Sequence, residues 1–432
     1  MNPLHEINSK IQIGRLRTFS LREILVCIIC LGMLVYPATS HATSPLKKLV
    51  DSTPRGKTLQ LKGKTYRGPV TIDKSMTISG TKNTRIVGND SGSVITVTGT
   101  GVKLNNVHVR GDGGKLDRDD AVIFLRESQQ SQIKNCTVSA NAFGIYVYGG
   151  SGHVIRNNRV TGNRSRRVSN RGNGIHLWKT TNNRVINNKV SHARDGIYLS
   201  FAHDNLIKAN RSRELRYGIH YMYSERNRLL QNRLFNNTGG AALMYSRENT
   251  IKANKADHNE KFGILLMQLE HSKLISNRTH HNNRGLFIQN SAGNRLVQNS
   301  VQRNHIGVYL SSGSVRNVFT RNIFSLNDST IVLKGSRQNQ WASDGTGNYW
   351  EGHYGFDSNG DGISDQPRRI QSATDSLVTK DPRYALFLHS PLAVLVDYLG
   401  GWIDFGGNGV KDPYPLQSPP VTTFKNGGIL LD

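Results

Sequence analysis

The chain has 432 residues, and its 56 Lys and Arg against 30 Asp and Glu give a formal net charge of +26. With only three cysteines it is not a small disulfide-stabilised scaffold. Such a positive field favours anionic partners such as acidic protein faces, lipid headgroups or polyanions. The alternative is that the charges keep a repetitive fold soluble and monomeric.

The N-terminus predicts a secretory signal peptide over residues 1–42. Four basic residues precede the apolar run "ILVCIICLGMLVY", which ends at the small-residue site "SHA". The run is shorter than the ~18 residues of a membrane span, although an uncleaved anchor is the alternative. Cleavage would remove Cys27 and Cys30 and leave Cys136 alone. For an exported chain we expect no nucleic-acid partner.

Self-similarity dominates the rest of the chain. One column of asparagines recurs mostly every 22 or 23 residues, at Asn135, Asn158, Asn188, Asn210, Asn232, Asn254, Asn277, Asn299 and Asn322. A glycine column keeps the same steps, at Gly144, Gly174, Gly196, Gly218, Gly240, Gly263, Gly285 and Gly307. Each unit holds two or three short alternating runs bounded by Asn and Gly, which is typical of strands and turns.

This period predicts an all-β fold, a right-handed parallel β-helix over residues 43–340. A coil cannot bury its apolar face alone, so successive coils must stack. The asparagines would form an inward ladder of side-chain amides, and the glycines would permit the turn geometry before the next strand. A leucine-rich repeat has a similar period, but its leucine-rich consensus is missing.

Three successive units place a methionine at the fourth residue after the column glycine: Met222, Met244 and Met267. The first and third residues are mainly apolar and should point inward, so the second and fourth should point outward. This predicts a stack of methionines on an exterior face, with His220 beside the first. Thioether and imidazole form a soft ligand set that selects Cu(I). The alternative is an adaptable apolar docking patch.

A second outward column is basic and would repel itself unless it is solvated or matched by acidic groups. Its members are Arg159, Lys189, Arg211, Arg233, Lys255 and Arg278. The column predicts either a docking face for an acidic partner or membrane surface, or a solvated face. Cys136 is expected in the same column and therefore exposed. The 30-residue step holds "TGNRSRRVSNRG", which predicts a projecting basic loop.

The pattern changes after residue 340. Residues 341–375 are predicted to form a cap, with Asp357, Asn359, Asp361 and Asp365 spaced as at the start of an EF-hand loop. The twelfth position is Arg368 rather than Glu, so a simpler Ca²⁺ loop and a metal-free turn both stay open. The apolar but interrupted tail, residues 376–432, is expected to cap the core or to dock on a membrane partner.

Several motifs resemble one family. "RGNGIHLWKTTNNRVINNKVSHARDGIYLS", "RYGIHYMYS" and "GNYWEGHYGFDSNGDGISD" are similar to NosD, the periplasmic maturation proteins of nitrous oxide reductase. The resemblance runs from about residue 57 to the C-terminus. It implies a non-enzymatic periplasmic protein that docks on an ABC transporter made of the NosF ATPase and the NosY membrane subunit. It also implies receipt of copper from the chaperone NosL and a role in building the reductase's copper centres.

An enzyme on the same fold is the rival hypothesis, namely a polysaccharide lyase or uronate epimerase acting on an acidic polymer. Its best acid–base candidates are His176, Tyr198 and His220 on adjacent coils. Acidic residues are scattered along the outward columns rather than clustered, which disfavours this chemistry.

Overall fold

Three short strands separated by tight turns repeat along the chain in the computed structural model, which describes residues 45–311, 313–335, 338–370, 383, 390–392, 395 and 410–420. The chain divides into Met1–Thr43 and Ser44–Asp432. The predicted signal peptide and most of the tail therefore lie outside the described residues.

A helix that the sequence reading did not predict begins the described part of the chain. Helix α1 spans Pro45–Ser52, and its Leu46 and Val50 join the apolar core. It therefore covers apolar surface beside the first coil, which no earlier coil can cover. Within the described residues no helix is both long enough and apolar enough for a membrane span.

The strands form three parallel sheets, because each strand pairs with its counterpart in the next coil. Sheet A contains β1 Thr58–Gln60, β4 Thr77–Ser79, β7 Lys103–Asn105, β10 Gln132–Lys134, β13 Val154–Arg156, β16 Arg184–Ile186, β19 Leu206–Lys208, β22 Arg228–Leu230, β25 Thr250–Lys252, β28 Lys273–Ile275, β31 Arg295–Val297 and β34 Val318–Thr320. Sheet B contains β2 Thr65–Arg67, β5 Arg85–Val87, β8 His108–Arg110, β11 Thr137–Ser139, β14 Arg159–Thr161, β17 Lys189–Ser191, β20 Arg211–Arg213, β23 Arg233–Phe235, β26 Lys255–Asp257, β29 Arg278–His280, β32 Ser300–Gln302, β35 Ile323–Ser325 and β37 Tyr349–Trp350. Sheet C contains β3 Val70–Ile72, β6 Ile95–Val97, β9 Ala121–Arg126, β12 Phe143–Tyr148, β15 Ile175–Trp178, β18 Asp195–Ser200, β21 Tyr217–Met222, β24 Gly239–Arg247, β27 Phe262–Glu270, β30 Arg284–Gln289, β33 Ile306–Ser311 and β36 Ser329–Lys334.

The parallel β-solenoid, of about 13 turns, confirms the predicted fold class. Alternate residues of each sheet C strand point into one continuous apolar core, as Ile175 and Leu177 do in β15. Each coil alone leaves this apolar edge open, so stacking supplies the burial that stabilises the fold.

The predicted asparagine ladder is confirmed, and the structure adds two more. In the predicted ladder the side-chain oxygen of Asn232 (Oδ1) accepts hydrogen bonds from the backbone N–H and the side-chain amide of Asn210, at 2.9 and 3.0 Å. The additional ladders follow other corners of the coil: Asn183, Asn205, Asn227, Asn249, Asn294, Asn317 and Asn339 in one, and Asn237, Asn259, Asn282, Asn304 and Asn327 in the other. They satisfy backbone groups that a tight buried turn leaves without partners.

The expectation about Cys136 is wrong by one residue. Cys136 aligns with Asn158 in the buried ladder, because its backbone N–H donates to the side-chain oxygen of Asn158 (Oδ1) at 2.9 Å. Asn135 instead occupies an exposed turn with φ 54°, and Thr137 pairs with Arg159. Cys136 is therefore buried rather than exposed, and burial raises the pKa of its thiol to about 12.

The column glycines have a different role from the predicted one. None of them has a positive φ, so turn geometry is not the reason for glycine. A Cβ on Gly196 would lie 2.4 Å from the Gly218 carbonyl oxygen of the next coil. Only glycine allows the coils to approach this closely.

Residues from the C-terminal part close the last coil. Buried Asp412 accepts hydrogen bonds from the Asn348 backbone and from the Trp350 indole, at 2.7 and 2.8 Å, and so extends the ladder by one carboxylate. Strand β39 Lys411–Asp412 pairs antiparallel with β38 Arg368–Arg369. The described residues 410–416 thus cover the end of the solenoid, while the remaining tail is mostly outside the described residues.

Candidate functional site

Met222, Met244 and Met267 are direct register partners on consecutive strands of sheet C. Their side chains are half-buried and lie on the outer face, opposite the buried Tyr221, Leu243 and Leu266. Neighbouring parallel strands are roughly 4.8 Å apart, so consecutive methionine side chains start from positions about that far apart. We call these three residues the Met column.

A column of rings runs beside it on the same face and contains His220. Ring centroids stack from Phe124 through Tyr146, His176 and Tyr198 to His220, at separations of 4.9, 4.5, 4.8 and 4.8 Å. His220 points outward, as expected, but it is only 7% exposed because flanking side chains cover it. His220 and Met222 are two positions apart in strand β21, so they lie on the same face of the sheet.

A buried carboxylate binds His220 from the preceding coil. Asp195 Oδ2 lies 3.0 Å from His220 Nδ1, and Arg216 donates to both Asp195 oxygens at 2.8 and 2.6 Å. Burial raises the pKa of Asp195, but hydrogen bonds from His220 and Arg216 outweigh it and lower that pKa to about 2. Asp195 is therefore an ionised acceptor at neutral pH.

The remaining ring nitrogens on this face are available. His220 Nε2 and both ring nitrogens of His176 are buried without a hydrogen-bond partner. Burial lowers the pKa of His176 to about 3, so this imidazole is neutral. Neutral imidazole nitrogen and thioether sulfur together form a soft donor set. Among the described residues no group of three or more His, Cys, Asp or Glu is arranged to bind a metal, so a site here depends on the sulfurs.

The basic column keeps its predicted register along the outer face of sheet B. Arg159, Lys189, Arg211 and Arg233 are exposed and successively paired, followed by Lys255 and Arg278. The first four form no ion pair with any described carboxylate. Their charge is therefore available for an anionic surface.

The insertion at residues 161–172 projects less freely than expected. Arg166 donates to the backbone oxygens of Gly114 and Asn141, at 2.7 and 3.1 Å, which ties the loop to the coil. Arg171 donates to the Arg166 oxygen at 2.8 Å, whereas Arg164 and Arg167 are exposed. The loop thus uses two of its arginines for its own structure.

The Asp/Asn/Gly loop satisfies its carboxylates internally. Asp357 accepts backbone hydrogen bonds from Gly360, Asp361 and Gly362, at 2.8, 3.1 and 2.8 Å. Asp365 accepts the Ser358 backbone N–H at 2.8 Å, and Asn359 bonds to Asp361. These contacts define a turn that is compatible with either alternative, and Ca²⁺ binding stays an untested prediction.

One surface feature was missed by the sequence reading. Phe201, Tyr223 and Tyr245 are exposed and stack at 5.1 Å spacing, each directly after a residue of the Met-column position. All three have φ near 50°, which is uncommon for non-glycine residues. Tyr245 has this conformation inside strand β24, whereas Phe201 and Tyr223 directly follow the ends of their strands. An aromatic at the same offset in three successive units was the signal that could have found them.

Comparison with known proteins supports the sequence resemblance. A family described as "Periplasmic copper-binding protein (NosD)" matches residues 162–355, which include the Met column and Asp195. The resemblance to the NosD family is confirmed over these residues. Residues 70–190 match the right-handed β-helix family, which confirms the predicted handedness.

Two NosD relatives have modest identity. Proteins named probable ABC transporter binding protein NosD, from Pseudomonas aeruginosa and Stutzerimonas stutzeri, are 32% and 31% identical over 112 residues. The matched segment is 26% of this chain and 26% of each relative. The relatives are named for transporter binding rather than for an enzymatic reaction.

Solved structures with a similar fold include carbohydrate-active proteins. The A-module of the mannuronan C-5 epimerase AlgE6 from Azotobacter vinelandii has a TM-score of 0.56 at 12% identity, covering 66% of this chain and 91% of that chain. A family 28 exopolygalacturonase from Yersinia enterocolitica has a TM-score of 0.53 at 11% identity, covering 68% and 74%. At such identities the similarity concerns the fold alone.

Proposed function

We propose that this protein is a periplasmic accessory factor for assembling the copper centres of nitrous oxide reductase. In this proposal it receives or hands over Cu(I) as cargo on the Met column and docks on an ABC transporter of NosF and NosY. The chaperone NosL would be the copper donor and the reductase the recipient. The names of the NosD family and of its relatives support the periplasmic location, the copper and the transporter contact.

The observation that carries the copper proposal is the exterior register of Met222, Met244 and Met267 beside His220. A thioether is a weak ligand for hard ions, so the column would select Cu(I) over Mg²⁺ or Ca²⁺. The three methionines are half-buried, and Met244 and Met267 pack against the apolar cluster of Ala242, Phe262 and Leu265. This suits a cargo ion that must enter and leave.

A Cu(I) titration of the exported protein with a competing chelator tests the copper proposal. The triple variant Met222→Leu/Met244→Leu/Met267→Leu keeps apolar bulk but removes sulfur, so we expect Cu(I) affinity to fall at least tenfold. Met76→Leu is the matched control, because Met76 lies in the solenoid core. Equal affinity in the triple variant and wild type would refute the Met column as the binding site.

The transporter proposal depends on the basic column. Charge reversal at Arg211 and Arg233 should weaken capture of the NosF–NosY transporter in detergent, with a steeper loss at low ionic strength. Arg184→Glu/Arg228→Glu is the control, because these exposed arginines lie on sheet A instead. An equal loss in both pairs would show a nonspecific charge effect and contradict docking through this face.

An enzyme acting on an acidic polysaccharide is the second candidate. The Asp195–His220 pair, with the tilted Tyr198 ring 4.8 Å from the histidine ring, has the composition of an acid–base site. Lyase or epimerase activity on alginate or pectate that is lost in His220→Ala, but retained in the triple methionine variant, would favour it over the copper proposal.

A further inference from the structure

The position of Asp195 in sheet C does not require an acid. Its register partners in the next three coils are Tyr217, Gly239 and Phe262, which are uncharged, and Arg284 follows in the fourth. Yet the Asp195 side chain is fully buried. Burying a carboxylate costs several kcal/mol before pairing, on the order of what its partners return. A neutral side chain would serve the solenoid at least as well.

The contacts of Asp195 fix the proton on His220. Because Arg216 donates to both oxygens of Asp195, the carboxylate acts as the acceptor, and the 3.0 Å contact places a proton on His220 Nδ1. A metal ion can then bind this ring only through Nε2. That nitrogen is buried and has no partner among the described residues.

Arg216 keeps the carboxylate from turning. Its Nε and Nη2 bind the two oxygens of Asp195 separately, at 2.8 and 2.6 Å, in a bidentate pair. The guanidinium also packs over the Tyr217 ring, 4.7 Å from its centroid. Asp195 therefore has one orientation, and so has the imidazole bonded to it.

We infer that Asp195, held by Arg216, is the positioning residue that makes His220 Nε2 the nitrogen ligand beside the Met column. This inference rests on the proposed copper function and names how its only nitrogen ligand is oriented. A carboxylate behind a ligating histidine fixes its tautomer and increases its basicity, and loss of such a partner typically weakens metal binding by roughly 10–100-fold.

The first measurement needs no metal. In ¹⁵N-labelled, metal-free protein, long-range ¹H–¹⁵N correlation of the imidazole nitrogens, assigned with His220→Gln, should show a proton on His220 Nδ1. A His220 ring that carries its proton on Nε2 and not on Nδ1 would overturn the inference. This result is obtained on the wild-type fold and does not depend on any variant.

The second measurement is Cu(I) affinity of Asp195→Asn, which replaces the obligate acceptor with a group that also donates. We expect a loss of about tenfold or more, together with appearance of the Nε2–H form. Asp204→Asn is the matched control, because Arg226 binds both Asp204 oxygens in the same bidentate way at an exposed site.

The outcomes distinguish the positioning role of Asp195 from the copper proposal. Unchanged affinity in Asp195→Asn, with loss in the triple methionine variant, would overturn the positioning role and leave the copper proposal intact. Wild-type protein that binds no Cu(I) would overturn both. An equal loss in Asp195→Asn and Asp204→Asn would indicate a general structural effect and also overturn the positioning role.

Discussion

The buried imidazole of His153 makes the solenoid sensitive to acid. His153 takes an asparagine-ladder position. Its ring Nδ1 accepts the Ser131 backbone N–H at 3.1 Å, and its backbone N–H donates to Asn183 Oδ1 at 2.9 Å. Burial lowers its pKa from 6.5 to about 4. Below about pH 6.5 the imidazole of His153 is protonated in the unfolded chain but stays neutral in the folded chain. The free energy of unfolding therefore falls as the pH falls from 6.5 towards 4.

The magnitude follows from the pKa difference. A shift of this size corresponds to roughly 3 kcal/mol when complete, and to about 2 kcal/mol at about pH 5. His153→Asn inserts the residue that the ladder uses elsewhere, with a carbonyl oxygen to accept the Ser131 N–H and no titration. We expect the variant to lose about 2 kcal/mol less than wild type between about pH 7.5 and pH 5.

Urea unfolding of both proteins at the two pH values measures this difference, and other titrating groups cancel in the comparison. His271→Asn, at an exposed turn, is the control and should keep the wild-type pH dependence. Identical pH dependence in His153→Asn and wild type would refute the reasoning that burial keeps His153 neutral.

Two further predictions concern the ladders. Native protein should not react at Cys136 with a soluble thiol reagent, because the thiol is buried with a pKa of about 12. Mass spectrometry should find labelling of Cys136 only after unfolding, and rapid labelling of the native protein would contradict the burial. Asn232→Ala should lower the free energy of unfolding by about 3 kcal/mol, since it removes bonds to Ile207 and Asn254 inside the core. Denaturant unfolding should show a clearly smaller change for the exposed control Asn187→Ala, which loses only a surface hydrogen bond and the asparagine at a φ of 54°, and equal effects in the two variants would contradict the role of the ladder.

The repeat period determined most of the fold. Strands paired with copies of themselves give a regular register, so the spacing of Met222, Met244 and Met267 was enough to place them side by side on one face. The basic column followed for the same reason. Such alignments depend only on counting along the chain, which is why the sequence determines them.

Tertiary structure decided everything that depends on neighbours outside the column. The "NC" pair at Asn135 and Cys136 gave two ways to count a coil, and only coil stacking showed which residue enters the ladder. His220 was predictable as outward, but its burial depends on the side chains that flank its ring. The contact of His220 with Asp195 joins two residues from adjacent coils that belong to different columns, so counting along the repeat does not predict it. The side chains that orient the candidate ligand are therefore set by packing, whereas the ligand column itself is set by the repeat.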